Sequence, residues 1–428
     1  MNAIAPPHDQ GDAAARAEIR RCVHCGFCTA TCPTYVLLGD ERDSPRGRIE
    51  LIKAMLASEA PPTKATVTHL DRCLSCLSCV STCPSGVDYG KLIDHARAHV
   101  EATYRRPWPE RLLRAAIPAV LTRPWRLSLA LAAGRLAAPL QRYLPAELQA
   151  MRRLAPARTG RRARPGVVAA LAERRGRVAL LQGCVEPALT PQVREAAVRL
   201  LTRAGFEVVF AEGEGCCGAL SQHLGRAGEA ARLARANVAA WSRAGELTAI
   251  VTTAAGCGTM LKDYGEVLGQ AGAGAAGKAR DILEFIAEVG LPPVTRAPGL
   301  RVAYHAACSL QHGQQIKSSP PALLAQAGFD VRPIAEGHLC CGSAGTYNIL
   351  QPELATRLRD RKAANIARTG AEVLAAGNVG CMAQLAPAVD MPVAHPVELL
   401  DWATGGPRPA ALTPETPLRP RAAVVHAE

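Results

Sequence analysis

Two cysteine runs carry the densest chemistry in this chain. Cys22, Cys25, Cys28 and Cys32 are followed by Pro33, and Cys73, Cys76, Cys79 and Cys83 by Pro84. Each run sets three cysteines three residues apart, adds a fourth four residues on, and ends in proline. That is the spacing with which thiolates hold paired 4Fe–4S cubanes. Steps of three let a tight loop wrap one corner of a cube and present three sulfurs to three irons. The fourth sulfur, where proline turns the chain away, goes to the other cluster. The expected assignment is Cys22, Cys25, Cys28 and Cys83 for one cluster, and Cys73, Cys76, Cys79 and Cys32 for the other. Disulfides would need an oxidising compartment, and no signal peptide is recognisable before the runs. Zinc sites come as separated ligand pairs, not as runs of four closed by proline.

Eight further cysteines fall in register with one another. Cys184, Cys216-Cys217-Gly218 and Cys257 recur 124 residues later as Cys308, Cys340-Cys341-Gly342 and Cys381. Val178-Ala-Leu-Leu leads into Cys184 as Val302-Ala-Tyr-His leads into Cys308. Gly205-Phe-Glu-Val and Gly328-Phe-Asp-Val each precede a Cys-Cys-Gly. Repeats of this kind define the architecture before any single element does. Within the first copy, apolar runs predict strands near 178–182, 207–210 and 248–253, with helices near 191–204 and 226–244. Such alternation indicates an α/β layer with parallel strands. Cys184, Cys257, Cys308 and Cys381 come just after strand-like runs, at the carboxyl ends where ligands gather in open parallel sheets. Four thiols in each half suggest one or two further iron–sulfur or redox sites; the competing reading is free cysteine filling a core. His305 and His312 flank Cys308 and are the candidates for hydrogen bonding to sulfur or for contact with a quinone head group.

The 428 residues carry a net charge of +13. Between 101 and 165 stand fourteen arginines, no lysine and three glutamates, a local +11. Leucines at helical spacing alternate there with Arg111, Arg114, Arg123, Arg126 and Arg135, and Trp108, Trp125 and Tyr143 add amphipathic rings. Prolines cut the segment into short helices. It suits a membrane surface of anionic lipid. Equally, it would serve as a linker that packs its apolar stripe on its neighbours. No recognition-helix or zinc-finger pattern accompanies the charge, which argues against nucleic acid. No stretch reaches the ~18 apolar residues of a membrane span. Gly272-Ala-Gly-Ala-Ala-Gly277 matches the dinucleotide pattern by letter, but no strand precedes it; it is expected to be a loop. The chain is therefore expected to lack its own flavin or NAD site.

The expected fold is multi-domain. An α-helical ferredoxin-like two-cluster domain occupies 1–100, with short helices over 49–56 and 86–100. A basic amphipathic helical connector covers 101–176. A duplicated α/β Cys-Cys-Gly module with parallel strands follows, at 177–290 and 291–404, and then a flexible tail at 405–428.

Two ferredoxin runs followed by duplicated Cys…Cys-Cys-Gly…Cys modules resemble a family of iron–sulfur subunits. Its members serve glycolate oxidase, lactate-oxidising and anaerobic glycerol-3-phosphate dehydrogenases, and heterodisulfide reductases. The run from Cys22 to Tyr35, the turn Ser44-Pro-Arg-Gly-Arg-Ile49, the stretch Gly256-Cys-Gly-Thr-Met260 and the arginine-rich connector are most similar to the glycolate oxidase branch. Iron–sulfur clusters move single electrons, and taking hydride from an alcohol carbon needs an organic carrier such as flavin. The resemblance thus implies an electron-transfer subunit that takes electrons from an FAD-binding 2-hydroxy-acid dehydrogenase subunit. The acceptor would be a quinone or another membrane carrier, at the cytoplasmic face of the inner membrane. Lactate or glycerol-3-phosphate oxidation, or catalytic heterodisulfide-type reduction, are the alternatives. In heterodisulfide reductase the module ends in Cys-x-x-Cys; here Met260 and Gln384 stand at the last position, which weakens that alternative.

Overall fold

The structure is a computed structural model, and it describes residues 7–58, 60–136 and 159–413. Its first unit is built from seven helices: α1 Pro7–Arg21, α2 Phe27–Thr31, α3 Pro33–Leu38, α4 Pro45–Ala57, α5 Lys64–Asp71, α6 Ser78–Thr82 and α7 Tyr89–Thr103. The sequence places α4 and α7 correctly but misses their starts. Ser44 accepts a hydrogen bond from the Gly47 amide, and Pro45 takes the first helical position, so α4 begins four residues earlier than expected. Asp88 caps α7, and Gly86 is left-handed at φ +64°, so the helix cannot begin before Tyr89. Ile52, Leu70, Leu92, Ile93 and Ala96 form the centre of this unit, with Cys73 and Cys79 packed into the same cluster.

A buried ionic knot ties α4 to the loops before and after it. The carboxylate of Asp43 is wholly enclosed and meets Arg48 at 3.3 Å and Arg72 at 2.9 Å. Arg48 also donates to the His69 carbonyl at 2.7 Å and to Thr34 Oγ1 at 3.1 Å.

The repeat expected from the cysteines is present in the backbone. In the first copy lie β1 Gly166–Val168, β2 Gly176–Leu180, β3 Phe206–Phe210, β4 Ala249–Thr252 and β5 Ala279–Asp281, in spatial order β1-β3-β2-β4-β5. In the second lie β6 Arg301–His305, β7 Asp330–Arg332, β8 Val373–Ala376 and β9 Val393–Ala394, in order β7-β6-β8-β9. Every pairing is parallel except β1 with β3. Register repeats as well: Ala179 pairs with Ile250, and Ala303 with Leu374, each pair 124 residues apart from its twin. Crossover helices supply the covering layers. Pro191–Arg203, for example, buries Val193, Ala196, Ala197, Leu200 and Leu201, one apolar stripe at helical spacing. Val178, Leu200 and Ile286 of the first copy share one continuous buried cluster with Val302, Leu324 and Leu400 of the second. Arg199 and Arg203 close the seam on Asp401.

Three expectations need correction. Gly272 to Gly277 lie inside the helix Gln270–Lys278, not in a loop. The run is rich in alanine, the best helix former, and Gly272 lets the helix press against its neighbour: a Cβ there would sit 2.0 Å from the Tyr264 carbonyl. The connector region contributes an unforeseen edge strand, β1. And the chain beyond 404 does not leave the fold at once, because Leu412 is buried against the shared core; residues 414–428 lie outside the described residues.

The connector's helices, α8 Trp108–Leu121 and α9 Pro124–Leu136, act as a strap. Ile117 packs between Leu224 of the first copy and Ile349 of the second, and Leu127 and Leu131 cover Ala188. Arg106 and Arg114 are buried on Asp71 at 2.7 and 2.8 Å, so part of the positive charge read from the sequence is neutralised internally. Tyr143 and the prolines at 139 and 145 lie outside the described residues. Among the described residues, no helix is long and apolar enough to cross a membrane.

The ionic knot yields a test. Asp43→Ala leaves Arg48 buried without its carboxylate, at a cost of about 3–5 kcal/mol. Hydrogen exchange should show α4 and α5 opening far more readily in that variant; unchanged protection would mean that the knot is not structural.

Candidate metal centres

Each ferredoxin-type loop is bent by left-handed residues at matching places. His24 (φ 55°) and Gly26 (φ 84°) in the first loop correspond to Ser75 (φ 51°) and Leu77 (φ 61°) in the second. Non-glycine residues in this region store about 1–3 kcal/mol each, and they persist where the surroundings enforce the shape. Here the curl turns three thiols toward one point. Cys32 and Cys83 then leave in extended conformation ahead of their prolines. Cys83 lines the same cavity as Cys22, Cys25 and Cys28. Cys79 reaches the wall of that cavity too, and its thiol is raised by burial and then by Cys76, Cys73, Cys32 and Cys28.

Donors surround the second set. Tyr89 Oη and the Ser75 amide point at Cys73 Sγ from 3.8 and 3.4 Å, and Arg48 Nη1 stands 3.9 Å from Cys32 Sγ. Burial pushes the Cys28 thiol up to about 11, and it raises Cys76 and Cys79 well above the ordinary value. Thiols this reluctant to ionise release protons when they take up metal, which couples loading to pH. Cys22, Cys25, Cys28 and Cys83 on one cavity wall, and amide, phenol and guanidinium donors beside Cys73 and Cys32, fit the cubane assignment.

The two Cys-Cys-Gly sites share one local design. Gly218 and Gly342 are left-handed at φ 98° and 85°, and a Cβ on them would meet the carbonyls of Ala230 at 3.0 Å and Ala355 at 2.5 Å. Only glycine allows that close approach. Their amides donate to the first cysteine of each pair, Cys216 at 3.5 Å and Cys340 at 3.4 Å. In the first copy, Cys184, Cys216, Cys217 and Cys257 line one cavity, and Cys217 Sγ lies 3.3 Å from Cys257 Sγ. In the second copy, Cys308, Cys340 and Cys381 line the same cavity, and the Cys341 and Cys381 sulfurs lie within 4.8 Å of each other.

The copies also differ. His305 stands where the first copy has Leu181, and its ring gathers with the sulfurs of Cys341 and Cys381, the three donor atoms all within 4.8 Å of one another. Burial, and then the charge of Lys362, hold His305 down at about 3, so the ring is neutral. Lys362 is itself enclosed, donating to the Glu336 carbonyl at 2.6 Å, with its charge near Cys308, Cys341 and Cys340. His312 is placed elsewhere: its Nδ1 lies 2.7 Å from Ser81 Oγ and its Nε2 3.1 Å from the His338 carbonyl. It pins α6 to the second copy. Met260 is packed in the core cluster that holds Cys217, and the Gln384 amide is bonded to Asn348 and to the Ala355 carbonyl.

One cavity of about 180 Å³ joins the parts. All four thiols of the first copy line it, with Cys308, Cys340 and Cys381 of the second and Cys76 of the helical unit. Leu74 and Cys76 pack against Cys308 and Cys340. Glu186, held by Thr253 Oγ1 at 2.7 and 2.6 Å, is also on this wall, and burial raises it to about 7. Arg48, Lys362 and Glu186 were not singled out from the sequence. Burial set their roles, and nothing in residue type or spacing announces it.

The shared cavity of Cys83 makes the crossover testable. Cys83→Ser should remove about four irons per chain, one cubane, and spare the signal of the Cys73 set. Loss of the other signal instead would reverse the assignment.

Comparison with known proteins matches both regions to known domain families. The 4Fe-4S dicluster domain family matches residues 21–87, and the cysteine-rich domain family matches twice, at 178–262 and 302–386. The glycolate oxidase iron-sulfur subunit of Escherichia coli K12 is 40% identical over 91% of this chain and 95% of its own length. The probable glycolate oxidase iron-sulfur subunit of Bacillus subtilis 168 is 30% identical over 86% and 88%. Lactate utilization protein A of an Exiguobacterium species is 30% identical over 48% of this chain and 86% of its own length. With two ferredoxin-type loops, a duplicated Cys-Cys-Gly module and near end-to-end similarity, the chain belongs to the family of glycolate oxidase iron–sulfur subunits.

Proposed function

We propose that this chain is the electron-transfer subunit of a complex that oxidises glycolate to glyoxylate on a separate FAD-binding subunit. Iron–sulfur clusters, when bound, supply one-electron transfer and no hydride abstraction, so the two-electron step falls to the flavin partner. The observation that carries the reading is the contact of Cys76 with Cys308 and Cys340 on the wall of one cavity. It supports a continuous line of thiol sites from the helical unit, which would hold the two cubanes, into the second Cys-Cys-Gly copy. Along that line Arg48 places a positive charge beside Cys32, which favours the reduced, more negative state there. His312 and Ser81 keep the two units in register.

The exit would lie at a quinone-type acceptor on an anionic membrane surface. Trp108, Leu112, Trp125 and Leu129 support this: they stand 75, 62, 61 and 62% exposed, as two pairs at helical spacing on α8 and α9. Exposed Arg105, Arg111 and Arg123 neighbour them in sequence, and Arg126 lies over the Trp125 ring at 5.1 Å. Rings and leucines beside arginines fit the boundary between headgroups and acyl chains.

Affinity purification from the native cell should bring down an FAD protein, and the assembled complex should oxidise glycolate in preference to lactate. Glycolate turnover by the flavin-free chain would overturn the subunit reading. Flotation with vesicles containing anionic lipid should recover the full chain. Changing Trp108 and Trp125 to Ala together should cut recovery at least tenfold, since about 3 kcal/mol of apolar burial is removed; unchanged flotation would exclude membrane docking through this face.

A further inference from the structure

We propose that His305 is a direct metal ligand, which gives the second Cys-Cys-Gly copy a mixed nitrogen–sulfur donor set while the first copy remains all-thiol. The inference rests on the reading above that the second copy holds an iron–sulfur centre.

Three observations converge on the ring. It ends β6, at the carboxyl edge where the loop bearing Cys308 begins, and is 1% exposed. Its Nε2 is buried with no hydrogen-bond partner among the described residues. A buried nitrogen left unsatisfied costs about 1–3 kcal/mol, so a native fold keeps one where something else engages it. A ring nitrogen lies within 4.8 Å of both Cys341 Sγ and Cys381 Sγ, close enough for all three atoms to bind one metal centre. Imidazole nitrogen and thiolate sulfur are the donors that iron and zinc share. A fourth donor is at hand in Cys308 or Cys340, which line the same cavity as Cys381.

The first copy offers no counterpart. Leu181 occupies the equivalent place and is packed in the core with Met260 and Cys217. The second copy also has buried Lys362 beside its thiols, where the aligned position of the first copy, 124 residues earlier, is Val238. A centre held by His305, Cys341, Cys381 and one of Cys308 and Cys340 has one thiolate fewer than the four-thiol site of the first copy, and a neutral imidazole in that place raises its reduction potential, as histidine ligation does in Rieske centres. Lys362 acts in the same direction. The copy that touches Cys76 is therefore the more readily reduced of the two.

The test uses the full chain, labelled with ¹⁵N-histidine, purified anaerobically with the metal the cell loads, and reduced. Electron–nuclear double resonance should show a ¹⁵N coupling in the native chain that disappears in His305→Ala. His305→Cys, which puts a thiolate at that position and guards against simple misfolding, should keep the iron count, lose the coupling and move one midpoint potential to a more negative value. A coupling and midpoints unchanged in both variants would overturn the ligand role. Cys341→Ser separates this from the underlying reading. Iron lost from Cys341→Ser, with His305 variants unchanged, refutes the histidine alone; no iron lost from Cys341→Ser refutes a centre in the second copy altogether.

Discussion

Thiols that must meet around an inorganic core, though they start far apart in the chain, set the terms for everything else in this protein. In the proposed assignment, Cys32 reaches the site built around residue 75 and Cys83 returns to the site built around residue 25. Backbone curl at His24, Gly26, Ser75 and Leu77 brings three sulfurs together locally. The fourth arrives only if α2 and α6 lie side by side, and the proline after each run sends the chain away so that they can. Short helices and a small apolar centre suffice because metal–thiolate bonds take over much of the cohesion a larger core would supply.

The Cys-Cys-Gly copies solve the same problem by other means. Their parallel sheets and crossover helices form a core into which Cys217, Cys341 and Cys381 are packed. The thiols occupy the carboxyl ends of strands and the left-handed turns that follow, where side chains from different segments face one space. Gly218 and Gly342 let the paired cysteines approach the neighbouring helix closely enough to put both sulfurs on the site. The design is a rigid scaffold with its reactive groups at one rim. Two such rims face each other across the shared cavity, with Cys76 between them and the helical unit.

Charge is placed with the same economy. The arginine-rich connector reads as a uniformly basic segment, yet Arg106 and Arg114 are turned inward onto Asp71, and Ile117 seals the junction of the two copies. A single stretch therefore both straps the domains together and exposes aromatic and basic side chains outward. Helical periodicity makes this division of labour natural, because opposite faces of one helix meet different surroundings.

Residue spacing alone determined the two cubane runs, the 124-residue repeat, the parallel α/β class and the family, because cluster loops and strand–helix alternation are local patterns that need no distant partner. It also placed His305 beside a cysteine without showing what its ring faces. Helix starts at Pro45 and Tyr89 depended on caps, and the helix at Gln270–Lys278 on alanine content outweighing its glycines, effects within reach of the sequence but easily misjudged. Tertiary structure alone decided that His305 joins Cys341 and Cys381 while His312 binds Ser81, that Arg48 and Lys362 are buried beside sulfur, and that Cys76 lies where both copies meet the helical unit. These are contacts across tens or hundreds of residues. They are set by which faces the packed helices and sheets bury together, and local sequence carries no record of that choice.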